Sequence, residues 1–266
     1  MVILYSLLGL IGLLILLYLL VFVRPRGRKP GDSRLLCDYA HRGLHGEGVP
    51  ENSLLAFEKA VEKGFGIELD VQLSSDGEVM VFHDYTLIRM TGKEEKLKNL
   101  TAAELQALSL AGTEQTVPTF RQVLELVDGK VPLLVELKGE DLNSALCPKV
   151  AELLQNYQGP YCVESFNPLL VKNIKKHLPE VYCGQLYTNV CRDKKKHSAL
   201  NLILSAMAFN FLARPDFIAY NIKDRKAFPV LVATKLYKAP RFVWTARTEE
   251  ELETAHRLGE HPIFEK

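Results

Sequence analysis

The chain has 266 residues, 24% of them charged and 47% hydrophobic, with 33 Lys and Arg against 32 Asp and Glu. That length suits one large folded domain, and a formal net charge of +1 gives no basis for a nucleic-acid surface or a strongly acidic partner. Cys37, Cys147, Cys162, Cys183 and Cys191 are odd in number and lack a Cys-x-x-Cys pair, so neither a disulfide framework nor a zinc knuckle is suggested and reduced, mostly buried thiols are expected.

Residues 1–23 carry no charged side chain. As a helix rising 1.5 Å per residue they reach about 34 Å, enough to cross a hydrocarbon core of about 30 Å, so 1–23 is expected to be a single transmembrane helix that contacts membrane lipid. A cleaved export signal would need a basic start and a small-residue cleavage site, and neither is visible. Arg24, Arg26, Arg28, Lys29 and Arg34 follow, and the positive-inside rule then expects the large domain in the cytoplasm. Residues 24–34, rich in Pro, Gly and charge, read as a basic juxtamembrane linker lying at the membrane surface.

Folding is expected to run from 35 to 266. Apolar runs at 36–40, 65–71, 79–82, 133–137, 161–163, 181–186, 217–220 and 242–245 read as eight strands. Helical patterns lie between most of them. Asn52 or Ser53 can cap a helix whose Leu54, Phe57, Ala60 and Val61 share a face and which Gly64 stops. Thr101 and Glu104 form a capping box, Pro118-Thr119 introduces a helix running to Val127, and Thr248 caps a last one ending near Gly259. Alternation of strand and helix predicts an α/β chain, either a (β/α)8 TIM barrel or a doubly wound open sheet. The count of eight favours the barrel, and the long stretch 84–117 is expected to form a small inserted lobe.

The chemistry concentrates in Glu68-Leu69-Asp70-Val71. Strand side chains alternate, so Glu68 and Asp70 share one face while Ile67, Leu69 and Val71 take the other. Two carboxylates on one face suit a hard cation with a preference for oxygen. Glu136 and Lys138 likewise share a face of the strand at 133–137, and the carboxyl ends of parallel barrel strands meet at one mouth. His41-Arg42-Gly43 ends the first strand and His83-Asp84 the third. Two imidazoles there can stand on either side of a phosphate, one as base and one as acid.

The series His41-Arg42-Gly43, Pro50-Glu51-Asn52, Glu68-Leu69-Asp70-Val71, Asp76-Gly77, His83-Asp84, Pro118-Thr119, Glu136-Leu137-Lys138, Ser165-Phe166 and Trp244-Thr245 resembles the glycerophosphodiester phosphodiesterase family in order and spacing. The resemblance implies a (β/α)8 barrel that hydrolyses glycerophosphodiesters to glycerol 3-phosphate and an alcohol. It implies one divalent cation, Ca2+ or Mg2+, at the positions matching Glu68, Asp70 and Glu136, with His41 and His83 as the acid–base pair. Arg42 and Lys138 match phosphate contacts, and Trp244 matches an apolar wall near the glycerol. Ala246-Arg247 departs from the Val-Asn that many members have after the tryptophan motif.

Glu51 is left between orienting Arg42, capping the next helix and touching metal. Lys194-Lys195-Lys196 reads as a solvated loop, with attraction to anionic lipid as the alternative. Two other functions remain in view: a lysophospholipase D acting on membrane lysophospholipids, with Phe166, Phe211 and Trp244 as apolar mouth residues, and a non-catalytic barrel that binds a phosphorylated ligand.

Overall fold

The computed structural model describes residues 1–139 and 145–266. Its strands are β1 Tyr39–Ala40, β2 Gly66–Leu73, β3 Val79–Val81, β4 Leu133–Leu137, β5 Tyr161–Ser165, β6 Cys183–Tyr187, β7 Phe217–Asn221, β8 Arg241–Ala246 and β9 His261–Phe264. Among the described residues, eight of these pair in parallel in the order β1-β9-β8-β7-β6-β5-β4-β2, and the β1–β2 pairing closes the barrel.

The expected total of eight holds, but its membership changes. The run at 79–82 is not a barrel strand: β3 pairs antiparallel with β2, Val81 opposite Val71 and Val79 opposite Leu73. The eighth strand is instead β9, which holds Pro262 and begins just after the Gly259 that ends the preceding helix. A short run with a proline gives little strand signal, because proline cannot donate to the ladder.

Helix ends follow their caps. Ser53, not Asn52, caps Leu54–Lys63 by accepting from Ala56 N, and Gly64 ends it with φ 72°. Thr101 with Glu104 and Thr119 with Gln122 both form capping boxes. Each satisfies two N–H groups that the first turn would leave open. Residues 84–117 lie on a cluster of their own, with Leu87, Met90, Leu97, Leu105 and Leu110 against Met80 and Phe82.

Two apolar layers position the site. Outside the barrel wall, Ile67, Leu69, Val71, Val135 and Val163 pack with Val123, Val127 and Val150 of the surrounding helices. Inside, Leu35, Tyr39, Leu134, Cys162, Phe217 and Phe242 fill the amino-terminal half as a floor. Gly184 belongs to this floor by having no side chain: a Cβ there would come within 2.1 Å of the Phe217 ring. All five cysteines are unbridged, and all but Cys37 are buried.

The helix Val2–Leu17 continues through a wider turn at Tyr18–Phe22. Val2–Phe22, 21 residues with a mean hydropathy of 2.6, is long and apolar enough to cross a membrane. Its last turns are held by the folded domain. Tyr18 donates from its hydroxyl to Ala206 O, Tyr237 donates to Leu19 O, and Val23 is fully buried. Phe211, grouped by sequence with the mouth aromatics, lies edge-on to Phe22 at 5.4 Å instead.

The basic segment after the helix is fastened to the barrel. Arg28 bonds the Glu180 carboxylate at 2.8 Å, and the Arg26 amide donates to Pro215 O. Both guanidinium groups face the buried Asp216, at 3.8 and 3.4 Å for Arg26 and Arg28. Pro and Gly kept this segment from reading as packed, but arginines can anchor a chain without regular structure.

Candidate active site

β2 and β4 run side by side with Asp70 opposite Glu136, so strand register alone brings a third acid beside the Glu68–Asp70 pair. Carboxylate oxygens of Glu68, Asp70 and Glu136 lie within 4.8 Å of one another, and all three side chains are buried. Lys138 reaches into the same cup, its Nζ 3.2 Å from Asp70 Oδ1 and 3.0 Å from Glu136 Oε1.

The protonation tendencies divide this cup. Burial and the neighbouring acids push Glu68 well above the usual carboxylate range. Burial also lifts Glu136, to about 7, against the pull of Lys138. Asp70 goes the other way: burial opposes its charge, but Lys138, His83, Arg42 and the Asn52 amide together hold it below its ordinary value. Lys138 stays charged because Asp70 and Glu136 outweigh its own burial. Three acids that resist simultaneous ionisation around one ammonium make a site a divalent cation would relieve. The donor set is all oxygen, as a hard cation requires, so the residues fit Ca2+ or Mg2+.

Arg42 sits in a left-handed turn with φ 56°, and its amide donates to Glu68 Oε2 at 2.8 Å. Gly43 follows with φ 81°, and a Cβ there would meet Ala56 and Phe57 at 2.9 Å, so the turn can press this close to the helix Leu54–Lys63 only with glycine. The Arg42 guanidinium bonds Glu51 at 2.7 Å, and among the described residues its buried Nε has no hydrogen-bond partner. Glu51 also receives two bonds from Arg89. It holds the guanidinium groups of Arg42 and Arg89, and Ser53 does the capping.

Each histidine is held through one ring nitrogen. His41 Nδ1 is 2.6 Å from Glu265 Oε1, and its Nε2 lies 3.9 Å from Glu68 Oε2. His83 Nδ1 is 2.6 Å from Asp84 Oδ1, and burial depresses the pKa of this ring despite the nearby Asp70. His83 reaches the cup although β3 is outside the barrel. β2 overshoots the mouth, and the hairpin brings the chain back until Phe82 N donates to Asp70 O at 2.9 Å. Gln72 fixes this return, its amide donating to Phe82 O, His83 O and Asp84 O.

His41, Arg42, Glu68, His83, Glu136 and Trp244 line a cavity of about 150 Å3. A wider cleft of about 530 Å3 adjoins it through His83, Glu136 and Phe166 and includes Lys138. Trp244 stands edge-on to Phe166 at 5.6 Å, and its Nε1 donates to Ala219 O. The residues marked by sequence thus converge.

Three further residues stand at the site to which the sequence reading gives no site role. Glu164 lines the same cavity, fully buried, with Oε2 lacking a partner among the described residues, and burial beside Glu68 and Glu136 keeps it well above the usual range. Its signal was the apolar–acid alternation seen at Glu136, lost when the expected strand stopped at 163. Glu265 is the second: the His41 bond and Arg247 hold its carboxyl down at about 2. Arg247 is the third. Its Nε donates to Glu265 Oε2 at 2.7 Å, so the departure from Val-Asn supplies a clamp on the acid that holds His41.

Residues 41–265 match the model of the glycerophosphoryl diester phosphodiesterase family. A glycerophosphodiester phosphodiesterase of Caldanaerobacter subterraneus is 36% identical over 237 residues, 83% of this chain and 89% of that protein. A human lysophospholipase D is 31% identical over 131 residues, 44% of this chain and 40% of that protein. The structure of an Oleispira antarctica phosphodiesterase in complex with sn-glycerol-3-phosphate superposes with a TM-score of 0.70 at 23% identity, covering 86% of this chain and 92% of that one. At that identity the likeness speaks for the fold.

Proposed function

The chain belongs to the glycerophosphodiester phosphodiesterase family, and we propose that it hydrolyses glycerophosphodiesters to glycerol 3-phosphate and an alcohol, with His41 and His83 as acid and base. One observation carries this reading: two imidazoles, each tied to a carboxylate through Nδ1, line one cavity with a three-acid cup. The cup of Glu68, Asp70 and Glu136 would hold one divalent cation, Ca2+ or Mg2+, which when bound draws charge from a phosphate oxygen.

The chain's own groups then divide the remaining work. The Arg42 guanidinium, with its unpartnered Nε, and the Lys138 ammonium bind the phosphate and offset the charge that grows on its oxygens. Trp244 and Phe166 wall the glycerol side and exclude water. One histidine takes the proton from the glycerol 2-hydroxyl as its oxygen bonds to phosphorus. The other gives a proton to the alcohol oxygen as its bond to phosphorus breaks. In the second half the roles reverse: a water loses its proton as it bonds to phosphorus, and the 2-oxygen leaves with one. A substrate analogue with hydrogen for the 2-hydroxyl should not turn over, and full activity on it overturns this route.

The test of the function is release of choline and glycerol 3-phosphate from glycerophosphocholine by the full chain, with and without chelator, beside Glu68→Ala. Chelator-sensitive release that the variant lacks is expected. No release with any divalent cation overturns glycerophosphocholine as a substrate.

A specific cavity favours a second reading, lysophospholipids as substrate. About 290 Å3 in volume, it is lined by Leu204, Met207 and Phe209 and shares Phe166 and Leu186 with the reaction cavity. An acyl chain in that space would leave the phosphodiester at the histidines. Turnover of lysophosphatidylcholine above that of glycerophosphocholine is the expected result if the cavity serves substrate. The apolar Val2–Phe22 helix and the basic residues after it support a single membrane span with the barrel in the cytoplasm.

A further inference from the structure

The amino-terminal segment meets the barrel with a definite polarity. Tyr187, the last residue of β6, donates from its hydroxyl to Ser205 O at 3.0 Å, which fixes that segment at the height of the barrel mouth. Tyr18 bonds the next carbonyl, Ala206 O, at 2.9 Å. It also stacks on Phe228, 6.2 Å away, which begins the helix after β7. Ten residues on, the contacts lie at the opposite end. Arg26 N donates to Pro215 O, just before β7, and Arg28 donates to the carbonyls of Glu180 and Val181, just before β6. Parallel barrel strands all run from floor to mouth. The chain therefore descends the barrel wall between Tyr18 and Arg28, and Val2–Leu17 projects beyond the mouth.

From this polarity we propose that the barrel sits mouth-first against an anionic lipid bilayer, with the helices Ala199–Ser205 and Phe228–Leu231 seated in its interface. The proposal rests on the exposed part of the apolar helix, Val2–Leu17, lying in the membrane. The surface that flanks Tyr18 has the matching composition. Leu200, Leu202 and Phe228 are more than half exposed, and Ile203 and Leu231 are exposed beside them. Exposed lysines rim the same side: Lys194, Lys195 and Lys196 follow β6, and Lys223 and Lys226 follow β7. Apolar helix faces bordered by lysines are what binds the headgroup–acyl boundary of an anionic leaflet. Continuity with the span selects the bilayer over another protein, because Tyr18 and Phe228 form one aromatic surface from the last turn of the span to the rim of the mouth. The same arrangement puts the Leu204–Met207 cavity between the lipid-facing helices and the reaction cavity.

The test places single tryptophans in the full chain, reconstituted in phosphatidylcholine–phosphatidylglycerol vesicles with and without bromine on the acyl chains. The emission of native Trp244 is subtracted using the unsubstituted chain. Phe228→Trp and Leu202→Trp should each lose roughly half of the added emission, as expected for rings buried ~5–10 Å into the boundary. Leu10→Trp, in the span, should be quenched as well. Gln158→Trp, exposed just before β5 at the floor, should keep its emission. Quenching at 158 with none at 202 and 228 overturns the proposal by inverting the barrel. Bright tryptophans at 202 and 228 beside a quenched one at 10 overturn it too: unshifted emission then means those helices face water, and blue-shifted emission means they face a second copy or another protein. No quenching at 10 removes the span and the proposal with it. None of these readouts uses catalysis, so they stand apart from the proposed reaction.

Discussion

At the site, the acids that were legible and those that were not differ in how far their partners lie along the chain. Glu68 and Asp70 could be read as one face because period-two alternation is local. Glu265 meets His41 across 224 positions, through the closure of β9 on β1, and no local pattern carries that. The bond leaves a pH signature. Glu265 is held at about 2, below its unfolded value of about 4.3, so its contribution to stability is complete above the unfolded value and is lost as pH falls through 2. The difference in urea midpoint between the natural chain and Glu265→Gln should therefore be full at pH 6 and shrink steadily below pH 4. A difference that stays constant across that range would break the assignment. Glu164 carries the opposite expectation. A buried carboxyl oxygen without a partner costs about 1–3 kcal/mol, so Glu164→Met should raise the unfolding free energy by that order while lowering kcat/KM. Thermal unfolding beside the diesterase assay reads both, and a destabilised Glu164→Met would mean the carboxyl has a structural partner.

At the level of elements, the strand pattern yields the right barrel count through two errors that cancel: it admits β3 to the barrel and misses β9. Periodicity identifies a strand but not the direction of its partner. The turn Asp76-Gly77-Glu78 was visible, yet reading it as a hairpin required knowing that β2 extends past the mouth to Leu73. That overhang is what delivers His83. Since one Gln72 amide shares its two N–H groups among the carbonyls of Phe82, His83 and Asp84, Gln72→Ala should misplace His83 more than it unfolds the chain. We expect about 1–3 kcal/mol lost in stability and a fall of roughly 10- to 100-fold in kcat with KM little changed. A change in KM alone would point to substrate binding instead. The four helix starts the sequence marks are legible because caps are local: Ser53, Thr101, Thr119 and Thr248 each accept from an amide three residues on.

Across the whole molecule, an apolar floor of Tyr39, Leu134, Phe217 and Phe242 lies beneath a layer with four acids, Glu68, Asp70, Glu136 and Glu164, and two cations, Arg42 and Lys138. Such a stack is unfavourable without something to neutralise it, which is why burial drives Glu68 and Glu136 toward protonation. Any cation that binds this cup binds the folded chain alone, because unfolding separates β2 from β4. Occupancy must therefore appear as stability. At a cation concentration 100 times its dissociation constant the gain is about 2.7 kcal/mol, which for a chain of this size raises the thermal midpoint by about 5–10 °C. Adding Ca2+ or Mg2+ to the chelator-treated full chain should produce that rise, and Glu68→Ala and Asp70→Asn should abolish it while remaining folded. A midpoint indifferent to both cations, in a chain that still cleaves diesters, would assign the cup's negative charge to Lys138 and Arg42 alone and leave the two histidines to act without a metal.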